Sequence, residues 1–542
     1  MTILPFLAVT LGAGAASLLV GRNSRASLVI GLAGLGGAVI LAAGLPSEAS
    51  VRIGGSELVS TSFLRLFALL GSVVALLLTV LGLATTSHRH SPGVLLGGLG
   101  AAVLALSLAD ARIAVIAATA GGLVGVLVTV ISPPTARSVV VAGRELRALA
   151  VAGLLAILAT AWIARPLGDL AGQPEVFGLA YLGFAIAVAI RFGAIPFHFW
   201  AARLADAAPE ITLPMLMAWG PAAFAVVALT WTDQSVSPLY AGQSGAPLLL
   251  PLTIERAVIV SIGAASVILG SLAALIQDDL EHVVAYTIIA DAGFAVLGLA
   301  ALGPDAWEPA RTWILVFVMV RSAFAAWAVA VRGAFGTRRI TELRGWALRA
   351  PLLALGLGLI VLAGIGWPGL VAWQARGALV DLTLGQPLAL VVMAGVLVQL
   401  VVYLRLVVIG VGKPAAAVAA GDSERPRWPL GVPGRPMVGR SGMERAFERG
   451  SHVISATLDV LWALPSASRA NRVPIAALVV LALAGLAFSV SAGGLGVSEA
   501  ARAVPGEITG PSESGAPGAS EETIETEPGG SGEPSFQPLP TE

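Results

Sequence analysis

Cysteine is absent from this 542-residue chain, and charge is scarce, with Asp, Glu, Lys and Arg together at 12% against about 25% in soluble domains. The missing thiols exclude disulfides, thiolate metal sites and cysteine-ligated iron–sulfur clusters, so any redox chemistry would belong to another subunit. The only lysine is Lys413. There is no phosphate loop, metal-ligand cluster or nucleophile constellation, so no residue is assigned a catalytic or metal-binding role and no cofactor is expected in this chain. Glycine pairs such as Gly121-Gly122 suit close helix packing instead. Met1 to Val20 lacks a basic leading region and a second apolar run follows closely, which marks a retained first helix, not a cleaved signal. Formal net charge is zero, and nothing points to nucleic acid.

What the chain has in abundance is apolar residues: 57% of the total, with mean hydropathy +0.88. Such a chain is not a water-soluble globule. Apolar runs of about 20 residues, enough to cross roughly 30 Å of hydrocarbon, recur along it. They fall at 2–20, 27–45, 62–84, 93–109, 112–132, 146–164, 176–196, 211–231, 256–276, 283–302, 310–331, 350–366, 387–410 and 472–491. Because these runs are continuously apolar and not alternating, the expected fold class is an all-α integral membrane protein of about fourteen transmembrane helices.

Arginine is retained on the cytoplasmic side of a membrane, and here it follows the odd-numbered runs. Arg22 and Arg25, Arg89, Arg137 and Arg144, Arg203, and the set from Arg332 to Arg349 all lie there, whereas Glu48, Asp169 and Asp305 follow even runs. Both termini are therefore expected outside, in a plasma (inner) membrane. The turn Asp278-Asp279-Leu280-Glu281-His282 is an exception, following an odd run with no basic residue. The expected organisation is 1–110 as N-terminal transmembrane helices and 111–410 as a transmembrane core. A basic cytoplasmic loop with an amphipathic stretch (Met443 to Trp462) occupies 411–471, followed by a last transmembrane helix at 472–491 and an acidic, disordered tail at 492–542.

Charge inside hydrocarbon costs at least a few kcal/mol, so ionisable residues within spans usually face a protein interior or a water path. Four places stand out. The seventh run ends in Arg191-Phe-Gly-Ala-Ile-Pro196-Phe-His198-Phe-Trp200, followed by Asp206, Pro209 and Glu210; Pro196 is expected to break the helix and free carbonyls near Arg191 and His198. An arginine snorkelling to the interface is the plainer alternative. Asp291 lies about nine residues into the tenth run, and Arg321 in the middle of the eleventh is its obvious partner; a relay and a locked structural pair both fit. The twelfth run is broken at Ala363-Gly-Ile-Gly-Trp-Pro368, continuing to Gln374 and Arg376.

Two of these stretches resemble a known family. Arg191 to Pro209, with Pro-Phe-His-x-Trp, is similar to the seventh-helix signature of the antiporter-like proton-channel subunits of respiratory complex I, closest to subunit N, which share a fold with Mrp-type cation/proton antiporter subunits. Ser271 to Gly293, containing Ala285-Tyr286-Thr287, resembles the stretch joining the family's helices nine and ten. The resemblance covers roughly 100–410. It implies an inverted-repeat antiporter-like fold with interrupted helices seven, eight and twelve, and breaks at Pro196, Pro221 and Pro368. The departures are chemical. Where the family has a lysine five residues before the motif proline, this chain has Arg191; the next helix's lysine falls at Pro221; the fifth-helix glutamate has no counterpart between Arg112 and Glu145; and only Gln374 or Arg376 lies near the twelfth-helix lysine. A guanidinium stays charged at any physiological pH, so Arg191 and Arg321 set a field, and His198, Asp206, Glu210 and Asp291 are the titratable candidates for a proton path.

The resemblance implies a membrane subunit of a redox-driven proton pump or cation/proton antiporter complex, with other membrane subunits, the lipid bilayer and protons or small cations as partners. The alternatives are a non-conducting structural subunit of such a complex and a stand-alone transporter for an anion held by Arg191 and Arg321.

Overall fold

The computed structural model describes residues 2–21, 24–85, 91–131, 136–162, 174–236, 252–302, 304–412 and 469–503. The basic loop with its amphipathic stretch and most of the acidic tail lie outside these residues. The described residues belong to one compact unit, Met1–Gly506.

Each of the apolar runs is a helix. The order is α1 (Leu4–Leu19), α2 (Ser24–Ala43), α3 (Ser62–Thr85), α4 (Ser91–Ser107), α5 (Ala111–Ile131), α6 (Ala136–Trp162), α7 (Pro174–Phe192), α8 (Gly220–Ser235), α9 (Thr253–Ile276), α10 (Leu280–Ala300), α11 (Trp307–Phe335), α12 (Pro351–Ile365), α13 (Val371–Thr383), α14 (Gln386–Val411), α15 (Arg469–Ser491) and the short α16 (Val497–Arg502). Ten helices among the described residues are long and apolar enough to cross a membrane; Leu4–Leu19, Pro92–Ser107, Ala111–Leu127 and Pro351–Ile365 are shorter apolar helices. The protein is a multi-pass membrane protein.

Burial sorts the helices. The spanning stretch of α11 is entirely buried and that of α10 nearly so, whereas α14 shows Leu390, Leu397, Leu404 and Val408 on its outside. In water such residues would be a liability; against hydrocarbon they are the expected face. Helices α9 and α10 make the tightest crossing. A Cβ added at Gly293 would sit 2.5 Å from the Gly263 carbonyl oxygen, and one at Gly270 would sit 3.0 Å from Ala290 Cα. Only glycine lets these backbones meet.

Two features differ from the all-α, disordered-tail reading. Residues Glu48–Ile53 and Ser56–Thr61 pair as an antiparallel hairpin, β1 and β2, turning at Gly54 and Gly55, both at positive φ. The Gly-Gly flanked by β-branched residues is a hairpin signal hidden between two apolar runs. Residues 492–503 do not begin a disordered tail. They form a turn and α16, which buries Val497, Ala500 and Ala501 against α3 and α11.

Replacing Gly293 by Leu is expected to lower stability by about 1–3 kcal/mol through overpacking. Thermal unfolding in detergent checks this, with Gly358→Leu as the neutral control, because nothing lies within 4 Å of a Cβ built there.

Candidate functional site

The charged side chains that spans bury gather into three groups, with Arg311 apart from them. The first forms where α7 ends. Arg191 occupies the last turn of α7; the chain then reverses through Gly193 at φ +63°, where a Cβ would meet Ala201 at 2.3 Å. The Ile195 amide donates to Ser266 Oγ at 2.9 Å and the Trp200 indole donates to the Ile190 carbonyl at 3.0 Å, fixing the strand of chain that leaves the helix. Arg191 faces an enclosed cavity of about 30 Å³, enough for roughly one or two waters, lined by Gly121, Gly122 and Gly125 of α5 and by Gly220. Glu145 of α6, 3% exposed, lines the same cavity and lies near enough to Arg191 for each charge to act on the other. A Cβ at Gly122 would fall 2.3 Å from Arg191 Nη1, and one at Gly125 3.2 Å from Glu145 Oε1. These glycines therefore make room for charge as well as for packing.

Glu145 is the residue that sequence reasoning missed. The absence of an acid on the fifth helix stands, but a carboxylate reaches Arg191 from the sixth. The apolar run begins only at 146 and leaves Arg144 and Glu145 in the loop before it, whereas α6 starts at Ala136 and turns Arg144 and Arg147 outward while burying Glu145. The 3.6-residue period was the available signal.

The second group is dry. Asp291 is 0% exposed, and Arg321 donates to its Oδ2 from Nε at 2.8 Å and from Nη2 at 2.5 Å. Arg321 also donates to Tyr403 Oη at 2.7 Å and to Gln399 Oε1 at 2.9 Å, while the Gln399 amide donates to Asp291 Oδ1 at 3.0 Å. Arg376 completes the group, its Nη2 3.6 Å from Asp291 Oδ1. The same guanidinium donates to the carbonyls of Ile365 and Gly364, the last residues of α12, and lies 4.2 Å from the Trp313 ring centroid. Arg376 thus caps the C-terminal, negative end of α12 across the link that holds Pro368, before α13 begins at Val371.

The third group sits where α10 starts and α11 ends. Arg332 pairs with both Glu210 and Glu281, and Arg338 with Asp279 at 2.8 Å. His282 lies between Asp206 and Asp279. Burial raises the Asp279 carboxyl, but His282, Arg338 and the Glu281 amide outweigh it and hold the group below its ordinary value. Here the exceptional acidic turn finds its basic residues: Arg332 in the last turn of α11, and Arg338 in the loop after it, whose carbonyl accepts from the Leu280 amide.

Of the residues singled out in the sequence, Asp291 and Arg321 are in direct contact, and Asp206 and Glu210 enter the third group. His198 is half-buried in the segment after α7, its ring 6.4 Å from that of Tyr286, and is not among the residues lining the Arg191 cavity. Pro196 lies in that segment, at a cis peptide bond. Pro221 sits in the first turn of α8, preceded by a π-helical turn, Met215–Trp219. Apart from these groups, Arg311, 1% exposed, donates to the carbonyls of Ala501 and Ala503 and stacks 3.9 Å from the Phe63 ring centroid.

Residues 157–401 match the family described as NADH:quinone oxidoreductase/Mrp antiporter, transmembrane. The match covers 245 of the 542 residues. Subunit N of NADH-quinone oxidoreductase from Halorhodospira halophila is 30% identical over 258 residues, covering 46% of this chain and 50% of that one. The Ruthia magnifica subunit N is 29% identical over 202 residues, covering 37% and 39%. The chain spans about half the length, or less, of these curated relatives. In overall fold it is similar to a chain of the Mrp complex from Dietzia sp., with TM-score 0.68 and 19% identity over 92% of this chain and 95% of that one. A chain of Thermus thermophilus respiratory complex I gives TM-score 0.59 and 20% identity over 90% and 100%. The matched residues include Arg191 and all of the Asp291 group except Tyr403, whereas Glu145 lies before them.

Asp291→Asn is expected to leave two buried guanidinium groups without a carboxylate and to cost about 3–5 kcal/mol, and Asp291→Leu combined with Arg321→Met to recover part of that loss. Thermal unfolding of the detergent-solubilised variants provides the check.

Proposed function

We propose that the chain is a proton-conducting membrane subunit of a redox-driven pump or cation/proton antiporter complex. The observation that carries this reading is the enclosed, glycine-lined cavity at the end of α7, which puts a buried carboxylate, Glu145, opposite a buried cation, Arg191, with room for water. A guanidinium does not release its proton, so Arg191 supplies a fixed field and the mobile proton rides on Glu145 and water. The names of the relatives, subunits of NADH-quinone oxidoreductase, support assembly with other membrane subunits, and the apolar outer helices suit contact with lipid or with those subunits.

In the same reading the chain crosses a bacterial inner membrane fourteen times, with both termini outside and spans seven, eight and twelve interrupted. The ends of α7 and α12, and the π turn before α8, support those three interruptions. His198, Asp206 and Glu210 then belong to the inlet side of the path. Redox chemistry, where the complex performs it, sits in a partner subunit.

A second reading is favoured by a specific observation: Asp291 and Arg321 pair directly, with Gln399 and Tyr403 bonded to the pair and no exposed surface at either. In a non-conducting structural subunit this group would lock α10, α11 and α14 together and the cavity would serve packing alone. The anion-transporter alternative draws less support, because Arg191 and Arg321 both already face carboxylates.

Vesicles containing the chain with its co-purified partners separate these readings. Under an imposed potential, internal pH reported by a trapped dye is expected to change at least about tenfold more slowly in Glu145→Gln, the scale of a lost acid–base group. Gly122→Leu, which fills the space around Arg191, is expected to do the same. Full assembly with no flux in the unmutated complex would establish the structural reading instead.

A further inference from the structure

The third group has a charge balance that its salt bridges leave incomplete. Four carboxylates, Asp206, Glu210, Asp279 and Glu281, face three guanidinium groups, Arg203, Arg332 and Arg338. The neighbouring charges are committed elsewhere: Asp278 turns to Arg405, and Arg339 to Glu342. With a neutral imidazole the group therefore carries one surplus negative charge, in a place where Glu210 and Glu281 are each more than nine-tenths buried. Water compensates such a surplus poorly, so the favoured neutral state is the one with an additional bound proton.

Two features show where that proton goes. Glu210 pairs through Oε1 with Arg332, and its Oε2 is buried with no hydrogen-bond partner. His282 alone among these residues carries an imidazole, the side-chain type suited to exchanging protons at physiological pH, and it keeps access to solvent at 19% side-chain exposure. Its Nε2 lies 3.5 Å from Asp206 Oδ1 and its Nδ1 3.6 Å from Asp279 Oδ1. Asp206 in turn lies near enough to Glu281 for their charges to interact.

We propose that His282, held between Asp206 and Asp279, is a proton-collecting station that takes one proton from loop-side water and passes it through Asp206 to the Glu210 and Glu281 pair on Arg332. The imidazole gains a proton at a ring nitrogen, which makes the group neutral; handing that proton to a carboxylate leaves the group neutral, and the surplus negative charge returns when the carboxylate releases the proton onward. Arg332 stays charged throughout and holds the two glutamates together. This assignment rests on the conducting reading for its role in flux, but the proton-binding site itself does not.

The experiment has two arms on the full chain with its co-purified partners. In detergent, proton uptake between about pH 8 and about pH 6, where imidazole titrates, is expected to fall by roughly one proton per chain in His282→Gln. Asp206→Asn, which keeps the imidazole and removes one facing carboxylate, is expected to move that uptake to lower pH. In vesicles, His282→Gln is expected to slow proton flux about tenfold, within the range for one acid–base group, with the loss restored by added imidazole. Unchanged uptake in His282→Gln together with no shift in Asp206→Asn would overturn the proposal, as would slowed flux that imidazole does not restore. Absence of flux in unmutated vesicles would defeat the conducting reading, and the uptake arm would still decide the collecting site.

Discussion

Hydrocarbon cannot solvate a bare charge, and the fold is arranged around the one place where it holds three. Asp291 lies between Arg321 and Arg376 with no solvent exposure at any of them. A single carboxylate beside two guanidinium groups leaves one positive charge over, and the structure meets it with dipoles. The carbonyls at the end of α12 receive Arg376, whose partial negative charge is comparable to half an elementary charge. The helix end is therefore not a defect that the packing tolerates. Were α12 continuous with α13, its last carbonyls would bond within the helix and Arg376 would lose its counterpart. The interruption and the buried arginine require each other.

The central helix α11 extends this logic along its length. Arg311, Arg321 and Arg332 lie ten and eleven residues apart, about 15 Å per step at 1.5 Å per residue, so three fixed cations span roughly the thickness of a bilayer. Each meets a different kind of partner. At one end Arg311 is held by backbone carbonyls and aromatic faces; at the centre Arg321 is locked to a carboxylate, an amide and a phenol; at the other end Arg332 is shared by two glutamates beside a histidine. Since none of the guanidinium groups gives up a proton, what can change along α11 is set by the partners. Only the loop-face partners titrate with access to water.

How much of this the sequence revealed follows from which forces act locally. The apolar runs were readable because a span's length is dictated by bilayer thickness, independently of its neighbours. The pairing of Asp291 with Arg321 was also readable, since two lone charges in adjacent spans have few other options. Glu145 was hidden because an acid flanked by two arginines reads as a loop, and only the tertiary position of α5, with glycines at 122 and 125, turns that helix face inward. Arg376 was in view but without a role, because its partners are backbone carbonyls, which carry no residue identity. The acidic turn at 278–282 looked like an exception to the charge rule because its counter-charges lie about fifty to sixty residues later, at Arg332 in the last turn of α11 and Arg338 in the loop after it.

A consequence concerns the near-absence of lysine. A lysine in hydrocarbon can hold or lose its proton, so one residue serves as both field and carrier. With arginine at Arg191, Arg321 and Arg332, the two jobs are divided, and a titratable acid or imidazole must stand beside each cation that takes part in transport. The structure supplies such a group at Arg191, in Glu145, and at Arg332, in Glu210, Glu281 and the nearby His282. At Arg321 it supplies Asp291, whose Oδ2 accepts twice from Arg321 and whose Oδ1 accepts from the Gln399 amide, all three side chains being buried. In the conducting reading proposed above, the buried group at Arg321 holds helices in place, and the groups at Arg191 and Arg332 exchange protons.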